Sequence, residues 1–279
     1  MKFVTYNIQF GVGRDTRTSL DRIARTVNGA DVIALQEVTR AWPHASSGDQ
    51  PQQLAELLKG YHWVYGPSVN IPHPDAVTDS VSHGARQQFG NMLLSRTPIV
   101  ASRVYPLPRQ VTPDIPRVAL EGTITTPTSG LLRVYSVHLA YKVEAERAAQ
   151  VQTLVDLHQR AWGRESHITP LPAGPSVEVP AIPRNTLVMG DFNMQRSEPA
   201  YQVMLGATEH SFSDVWVAAG NDPNTGVTMP ANPETETWTD SYLDYGFLST
   251  RLNNKIVSAH IDNDADGSDH QPVWFEINL

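Results

Sequence analysis

Five short apolar runs of this chain end in, or are followed by, side chains that could carry out hydrolytic or metal-dependent chemistry. These side chains are Asn7, Glu37, His138, Asp191 with Asn193, and Asp269 with His270. If the apolar runs are strands, their ends can gather at one edge of the fold and bring the polar groups into one cleft. A buried carboxylate without a partner is costly, so a shared cation would account for the carboxylates in this pattern.

Each of these residues also has a purely structural explanation. Glu37 could form an ordinary salt bridge, and His138 could be a hydrogen-bonded core histidine. Asp191 and Asn193 follow a glycine and could belong to a plain turn, since Gly, Asp and Asn all favour turns. Asp269 could cap a loop. The functional interpretation therefore depends on all of the residues occurring together, in this order.

The elements that would position these residues follow from the spacing of apolar side chains. Helical spacing predicts helices over 19–27, 50–60, 143–162 and 197–205, the first with Ser19 as N-cap. Strands are predicted over 2–6, 31–38, 61–66, 89–95, 99–107, 117–125, 131–139, 186–193, 242–250, 255–261 and 272–279. Residues 66–88 are predicted to form a long loop and 168–183 a proline-rich surface excursion. The pattern favours a single domain over 1–279, with two packed sheets and helices outside.

Composition limits the classes of function. The 279 residues include 40% hydrophobic and 18% charged side chains, enough for a substantial core. The net charge is −8, from 21 basic and 29 acidic residues, which disfavours a protein that binds nucleic-acid backbone. Because the chain has no cysteine, thiolate chemistry and disulfides are excluded. With no signal-peptide pattern or membrane-spanning run, we expect a soluble protein, cytoplasmic or exported after removal of a signal.

The segment IDNDADG contains three alternating aspartates, Asp262, Asp264 and Asp266, which resemble the start of an EF-hand calcium loop. Position 12 of such a loop needs a bidentate carboxylate, but counting from Asp262 it is Val273. Strands, not helices, are predicted on both sides. A solvated acidic turn is the favoured interpretation, and an accessory Ca²⁺ site at the loop is the alternative that stays open.

The order of the motifs resembles the endonuclease/exonuclease/phosphatase superfamily, whose fold is like that of deoxyribonuclease I. The matching segments are TYNIQF, LQEV, GNMLLSRTPI, YSVHL, GDFN, YLDYGFLS and GSDHQPV. They run from residue 5 to residue 273, so the resemblance covers nearly the whole chain. It implies an α+β fold, a four-layer α/β/β/α sandwich of two mixed, mostly antiparallel sheets. It also implies divalent-metal-dependent hydrolysis of phosphoesters.

The resemblance assigns expected roles to individual residues. Glu37 would be the principal ligand of Mg²⁺ or Mn²⁺, assisted by Asn7 and Asp269. Asp191 would position or deprotonate the attacking water, and Asn193 would hold the nucleophile or a phosphate oxygen. His138 and His270, the latter oriented by Asp244, would stabilise the transition state.

Residues outside the matching segments have less specific expectations. The segment HLAYKVEAERAAQ, in which Arg147 and Gln150 open a predicted helix, resembles the bacterial and lipid-directed branches of the superfamily more than the DNA-repair branch. Arg117 resembles a cleft arginine but could equally form a salt bridge at a strand edge. His73 and His83 could lie at the rim of the site, although simple surface histidines are favoured.

The expected partner is a phosphoester substrate, with a small-molecule or lipid head-group phosphodiester favoured over DNA or RNA. A nuclease of the same fold is the alternative, and a non-catalytic calcium-binding or scaffold protein is a further one. Peripheral membrane contact would follow if the substrate is a lipid. A monomer is favoured.

Overall fold

The computed structural model describes residues 1–43, 48–74, 85–110, 114–163, 182–206, 208, 210–231 and 239–279. Within them, one six-stranded sheet contains β1 (Lys2–Asn7), β2 (Val32–Arg40), β3 (His62–Pro72), β4 (Arg86–Ser95), β11 (Ile256–Ile261) and β12 (Val273–Ile277). The other contains β5 (Ile99–Pro106), β6 (Val118–Thr126), β7 (Gly130–His138), β8 (Thr186–Asp191), β9 (Phe212–Asp214) and β10 (Asp244–Ser249).

Both sheets are mixed and mostly antiparallel. The first has the strand order β11-β12-β1-β2-β4-β3 and the second β5-β6-β7-β8-β10-β9. The parallel neighbours are β1 with β2 in the first sheet and β7 with β8 in the second. In both sheets the parallel pair lies near the centre, so the ends of these strands are enclosed by the rest of the fold.

Helices cover the outer faces of the sheets. They are α1 (Leu20–Val27), α2 (Gln50–Leu57), α3 (Glu144–Gly163), α4 (Pro199–Leu205) and α5 (Val215–Ala218). Ser19 caps α1 as expected, since its side chain accepts a hydrogen bond from the Arg22 backbone N–H.

The core consists of three apolar layers. A middle layer between the sheets combines residues of both, such as Phe3 and Phe275 of the first sheet with Met189 of the second. A second layer lies between the second sheet and α3 and α4, and a third lies between the first sheet and α1 and α2. The expected four-layer α/β/β/α sandwich is thereby confirmed.

The expectation of a loop over all of 66–88 is wrong at both ends. Residues 66–72 continue β3, and 86–88 begin β4, with Pro72 opposite Arg86 in the register. The side chains of β3 are only partly buried, because this strand lies at the edge of the sheet. Edge strands do not need the alternation of apolar residues that marks a half-buried strand, so periodicity missed this part.

Two short elements differ from the prediction, and most of the predicted proline-rich excursion is not described. The short elements β9 and α5 were not predicted, because three or four residues are too few to show a period. The segment 168–181 of the predicted proline-rich excursion lies outside the described residues. At its end, the Pro183 carbonyl accepts a hydrogen bond from the buried Arg133.

Gly246, inside β10, marks a close approach of the two sheets. The register of β10 with β8 runs from Asp244 to Leu248 without a shift. A Cβ at Gly246 would lie 2.6 Å from the ring of Phe275 in the facing sheet. Glycine at this position therefore lets the two sheets pack closely beside the polar strand ends.

Candidate active site

Three polar residues lie side by side at one end of the second sheet. Asp191 is the last residue of β8, and its register partners are His138 at the end of β7 and Asp244 at the start of β10. Directly opposed residues of neighbouring strands present their side chains to the same face. The sheet register therefore brings together three residues that are far apart in the sequence.

The glycine before Asp191 is required by this arrangement. Gly190 has φ +155°, and a Cβ there would collide with the carbonyl oxygen of Val137 on β7. The close approach of β7 and β8 at this point needs a residue without a side chain.

Donors surround the Asp191 carboxylate, which is buried. Its Oδ2 accepts from Asn7 Nδ2 at 3.0 Å and lies 3.4 Å from His138 Nε2 and 3.8 Å from His270 Nε2. Its Oδ1 accepts from the backbone N–H of Asn193 at 2.8 Å. Burial raises the pKa of Asp191 to about 6, although the charge of His270 opposes the shift. A carboxylate in these surroundings is ionised at neutral pH and remains basic enough to take a proton.

The two histidines have opposite pKa shifts. Burial, helped by the charges of Arg117 and His270, lowers the pKa of His138 well below 6.5, so this imidazole is neutral at pH 7. Burial alone would also lower the pKa of His270. The charges of Asp244 and Asp191 outweigh it, and the pKa of His270 is raised well above 6.5.

Asp244 orients the His270 ring. Its Oδ2 lies 2.8 Å from His270 Nδ1, while its other carboxylate oxygen, Oδ1, has no hydrogen-bond partner among the described residues. Backbone N–H groups of Leu243 and Asp244 both donate to Thr228 Oγ1, which holds the start of β10. His270 therefore presents a charged Nε2–H toward Asp191.

Glu37 does not end its strand, contrary to the sequence interpretation. It lies inside β2, where the register with β4 shifts between Leu35 and Val38, and its φ is +59°. This bulge turns the Glu37 side chain toward the other polar groups. Left-handed backbone at a residue other than glycine costs on the order of 1–2 kcal/mol, which surrounding contacts must offset.

A second carboxylate lies near Glu37. Burial, followed by the negative charge of Asp269, raises the pKa of Glu37 to about 7. The segment carrying Asp269 is fixed by Ser268, whose hydroxyl donates to the Asn7 carbonyl at 2.7 Å and contacts Asp269 Oδ1 at 3.2 Å. A buried carboxylate whose ionisation is opposed by a neighbouring negative charge is a suitable environment for a divalent cation.

Asn7 joins these two groups through its amide nitrogen. Nδ2 donates to Glu37 Oε1 at 3.3 Å and to Asp191 at 3.0 Å, whereas Oδ1 accepts from the Gln9 backbone N–H at 3.1 Å. In this orientation Asn7 links Glu37 to Asp191, and its oxygen is already used by the backbone.

The donor set is compatible with a hard metal ion that keeps most of its water. No group of three His, Asp or Glu side chains in the described ranges stands in an arrangement that could hold a metal by itself. Mg²⁺ in phosphoryl-transfer sites commonly uses one or two carboxylates, with waters and substrate oxygens completing the shell. Glu37 and Asp269 fit that requirement.

Asn7, Glu37, His138, Asp191, Asn193 and His270 line a cleft with a volume of about 670 Å³. Its described lining includes Asn7, Phe10, Glu37, Phe89, Arg109, Asp114, Arg117, His138, Tyr141, Lys142, Asp191, Asn193, Met229 and His270. Sequence reasoning missed Phe10, Phe89, Arg109 and Lys142 as cleft residues, because a single aromatic or basic side chain carries no local signal of where it points.

Arg117 matches both of its expected roles. Its guanidinium is 4% exposed, lies 3.5 Å from Asp114 Oδ1, and lines the cleft. Within the described part of the chain, its Nε and Nη1 have no hydrogen-bond partner. A buried guanidinium with unused donors is suited to an anion that enters the cleft.

The remaining sequence candidates lie elsewhere. His73 is not among the residues that line the cleft, and His83 lies outside the described residues. The accessory calcium interpretation stays a prediction. The guanidinium of Arg22 lies 3.5 Å from Asp266 Oδ2. In the orientation that gives both of its polar atoms partners, the Gln271 side-chain amide donates to the Asp262 backbone carbonyl at 2.6 Å.

Comparisons with known proteins agree with the fold. A sequence model described as "Endonuclease/Exonuclease/phosphatase family" matches residues 4–270. No curated protein matches the chain. Among the helices of the described ranges, none is long and apolar enough to cross a membrane.

Several solved structures are similar over the whole chain. An endonuclease/exonuclease/phosphatase from Beutenbergia cavernae is 25% identical, with a TM-score of 0.71, and the match covers 100% of this chain and 71% of that one. A family protein from Leptotrichia buccalis is 19% identical, with a TM-score of 0.67 and full coverage of both chains. A mannosyl-6-phosphatase from Bacteroides thetaiotaomicron is 18% identical, with a TM-score of 0.65 and full coverage of both.

Proposed function

This chain belongs to the endonuclease/exonuclease/phosphatase family and is a metal-dependent phosphoester hydrolase, and from that premise we propose that it hydrolyses a phosphodiester of a small molecule or lipid head group. The observation that carries this proposal is the environment of Asp191. An ionisable carboxylate lies between a neutral and a charged imidazole, His138 and His270, at the base of an open cleft.

Asp191 acts as the base toward water. The water oxygen forms a bond to phosphorus while the bond from phosphorus to the ester oxygen breaks, and the water proton passes to Asp191. The departing alkoxide takes a proton from solvent. Asn7 and the Asn193 backbone N–H hold the carboxylate in place, so the base does not need to reorient during the reaction.

The imidazoles stabilise charge on the phosphoryl group. His270, kept protonated by Asp244, offers a positive donor to a phosphoryl oxygen, and His138 offers a neutral one. Asn193 lies beside Asp191, with its amide nitrogen 3.4 Å from Asp191 Oδ2 and 3.1 Å from the Leu139 carbonyl, and positions the nucleophile or a phosphate oxygen.

Members of this family typically use Mg²⁺. We propose that Glu37 and Asp269 hold the ion, while Asn7 links Glu37 to Asp191. When bound, the ion supplies positive charge to the phosphate oxygens. Its presence would also lower the pKa of Glu37, which burial and Asp269 raise in the metal-free arrangement.

Cleft charge favours a small substrate over a nucleic acid. Among the described lining residues, three are Lys or Arg and three are Asp or Glu. Affinity for a polyanion comes mainly from an excess of cations that replace counterions along the backbone. The whole-chain charge of −8 acts in the same direction.

A phosphomonoester is the second candidate, and Arg117 is the observation that favours it. The two unpartnered donors of its buried guanidinium could contact the additional oxygen of a dianionic phosphate. The similar mannosyl-6-phosphatase is, by its description, a phosphatase of this kind, and its likeness to this chain concerns the fold.

A panel of substrates tests both candidates. With Mg²⁺ or Mn²⁺, activity is measured on bis-p-nitrophenyl phosphate, p-nitrophenyl phosphate, phospholipid vesicles, RNA and plasmid DNA. We expect hydrolysis of the small diester to exceed that of the monoester and of DNA. Glu37→Ala and His270→Ala are expected to lose at least about 10²-fold in kcat, because each removes a group that acts on the transition state.

Two exposed residues provide matched controls, Glu56→Ala for the carboxylate and His62→Ala for the imidazole. If wild type prefers the monoester and Arg117→Met loses that preference, the second candidate is favoured. Degradation of plasmid DNA at low enzyme concentration would contradict the small-substrate proposal. Absence of metal-dependent hydrolysis of every ester would contradict the catalytic proposal.

A further inference from the structure

One side of the cleft is aromatic. The ring centroid of Phe10 lies 6.0 Å from that of Phe89, and Phe89 lies 5.7 Å from Trp42 and 6.3 Å from the His138 ring. Phe89 is buried, whereas Phe10 is half-buried and lines the cleft with it. Phe10 is therefore the ring of this group that a bound molecule can reach.

The backbone that presents Phe10 is in an unusual conformation. Gln9 has φ +43° and Phe10 has φ +57°, both in the left-handed region. For a bulky side chain such as phenylalanine this conformation is an outlier, and such outliers persist where surrounding contacts impose them. Here the Gln50 side chain donates to the Phe10 carbonyl at 2.6 Å.

Core packing does not explain Phe10. Its side chain belongs to none of the three buried apolar clusters found among the described residues. A phenylalanine that packs in none of these clusters, in a strained turn three residues after Asn7, is instead consistent with a contact to a ligand.

Basic side chains line other parts of the same cleft. Arg109, Arg117 and Lys142 lie among its lining residues, together with the histidines that face Asp191. The cleft thus offers charged donors for a phosphate and an aromatic surface for the group esterified to it.

We propose that the alcohol portion of the substrate is a planar aromatic group that stacks on the ring of Phe10, with Phe89 supporting that ring from behind. This inference rests on the proposed function, since it names the substrate class of the same site. Phe10 determines specificity: it contacts the substrate but takes no part in proton transfer.

Stacking is tested with two esters whose leaving alcohols are chemically alike, methyl 2-phenylethyl phosphate and methyl 2-cyclohexylethyl phosphate. The measured quantity is the kcat/KM for the phenyl ester divided by the kcat/KM for the cyclohexyl ester. We expect this ratio to be about tenfold lower in Phe10→Ala than in wild type, a loss typical of one aromatic stacking contact. Phe10→Tyr keeps the ring and should retain the ratio.

The backbone needs its own control, because alanine could also alter the strained turn. Phe10→Asn places a residue that tolerates the left-handed region at this position without an aromatic ring. The ratio of kcat/KM for the two esters should fall in Phe10→Asn as it does in Phe10→Ala. Equal losses for both esters in Phe10→Ala and Phe10→Asn would indicate a structural role and overturn the inference.

A binding measurement separates this inference from the proposed function. By calorimetry in the presence of Mg²⁺, phenylphosphonate should bind wild type about tenfold more tightly than methylphosphonate, and the difference should vanish in Phe10→Ala. Equal affinity of the two phosphonates for wild type would overturn the inference even if hydrolysis is found. Selective binding without hydrolysis of any ester would contradict the proposed function and leave the aromatic contact supported.

Discussion

At the scale of single residues, the candidate site depends on pKa values that neighbouring groups move in different directions. His138 and His270 are both buried, yet the pKa of the first is lowered and that of the second is raised. The largest part of the difference comes from Asp244, whose Oδ2 lies 2.8 Å from His270 Nδ1, and the charge of Asp191 adds to it. A buried carboxylate thus largely determines which imidazole is charged at neutral pH.

The substitution Asp244→Asn should lower the pKa of His270. Without the carboxylate, burial dominates and the pKa of His270 falls, so the imidazole loses its charge as the pH rises through that lower value. We expect kcat at pH 7–8 to fall about 10²-fold, as when one transition-state donor is removed. An NMR titration of the imidazole checks the pKa, and kcat is measured over the same pH range.

The exposed Asp222→Asn serves as the control for loss of one negative charge. If the His270 imidazole in Asp244→Asn still titrated well above 6.5, the role assigned to Asp244 would be wrong.

At the scale of elements, the start of α3 holds two loops that line the cleft. Gln150 accepts from the Ala140 backbone N–H at 2.8 Å and donates to the Pro108 carbonyl at 3.0 Å. Arg147 donates to the Ala140 and Tyr141 carbonyls and forms a salt bridge with Glu198. Loops usually owe their position to such contacts, since they lack a ladder of backbone hydrogen bonds.

This arrangement assigns Gln150 a positioning role for the cleft residues Arg109 and Lys142, which follow Pro108 and Ala140 in the chain. Gln150→Met removes both loop contacts and leaves buried backbone groups unpaired, at a cost of about 1–3 kcal/mol in stability. We expect KM to rise about tenfold while kcat changes by less than about threefold, because Asp191 and the histidines are not held by these loops.

Gln150→Glu keeps the acceptor for Ala140 and should recover part of the lost KM, which a general loss of stability would not explain. Gln152→Met, on the exposed side of the same helix, is the control and should leave KM unaltered. A fall in kcat with KM unaltered in Gln150→Met would contradict the positioning role.

At the scale of the whole molecule, the site is divided between the two sheets. Asn7 and Glu37 belong to the first sheet, while His138 and Asp191 belong to the second. Buried polar contacts connect the sheets beside them. Gln36 Nε2 donates to Ser136 Oγ at 3.0 Å, and similar bonds from Asn91 reach carbonyls of β6 and β7. Apolar layers alone would permit small shifts that these directional bonds prevent.

The stability of the molecule should depend on pH through His158, a buried residue of α3. Burial, followed by the charge of Arg133, lowers the pKa of His158 to about 3, whereas an unfolded histidine titrates near 6.5. Between these values the unfolded chain binds more protons. Stability from this group is therefore lost as the pH falls below about 6.5, by at most about 1.4 kcal/mol per pH unit.

Denaturant unfolding at several pH values between 4 and 8 measures this slope. His158→Gln should flatten it in the acidic range, and the exposed His62→Gln should leave it as in wild type. An equal slope in wild type and His158→Gln would show that other groups govern the acid response.

Much of the fold and the residue types of the candidate site could be predicted from the sequence. Apolar runs followed by polar residues marked the strand ends at Asn7, His138 and Asp191, and the order of motifs from TYNIQF to GSDHQPV identified the family. Asp191 and His270 could be selected for that reason. Both signals are local, because each depends on a few consecutive residues and on their order along the chain.

Only the tertiary structure decided how these residues meet. Asn7 and Asp191 are 184 positions apart, and their hydrogen bond depends on the packing of two sheets. The bulge that turns Glu37, and the left-handed turn that exposes Phe10, are backbone conformations with no sequence period. The sequence by itself thus determined the family and the chemistry of the candidate groups, whereas long-range contacts and strained dihedral angles decided their geometry.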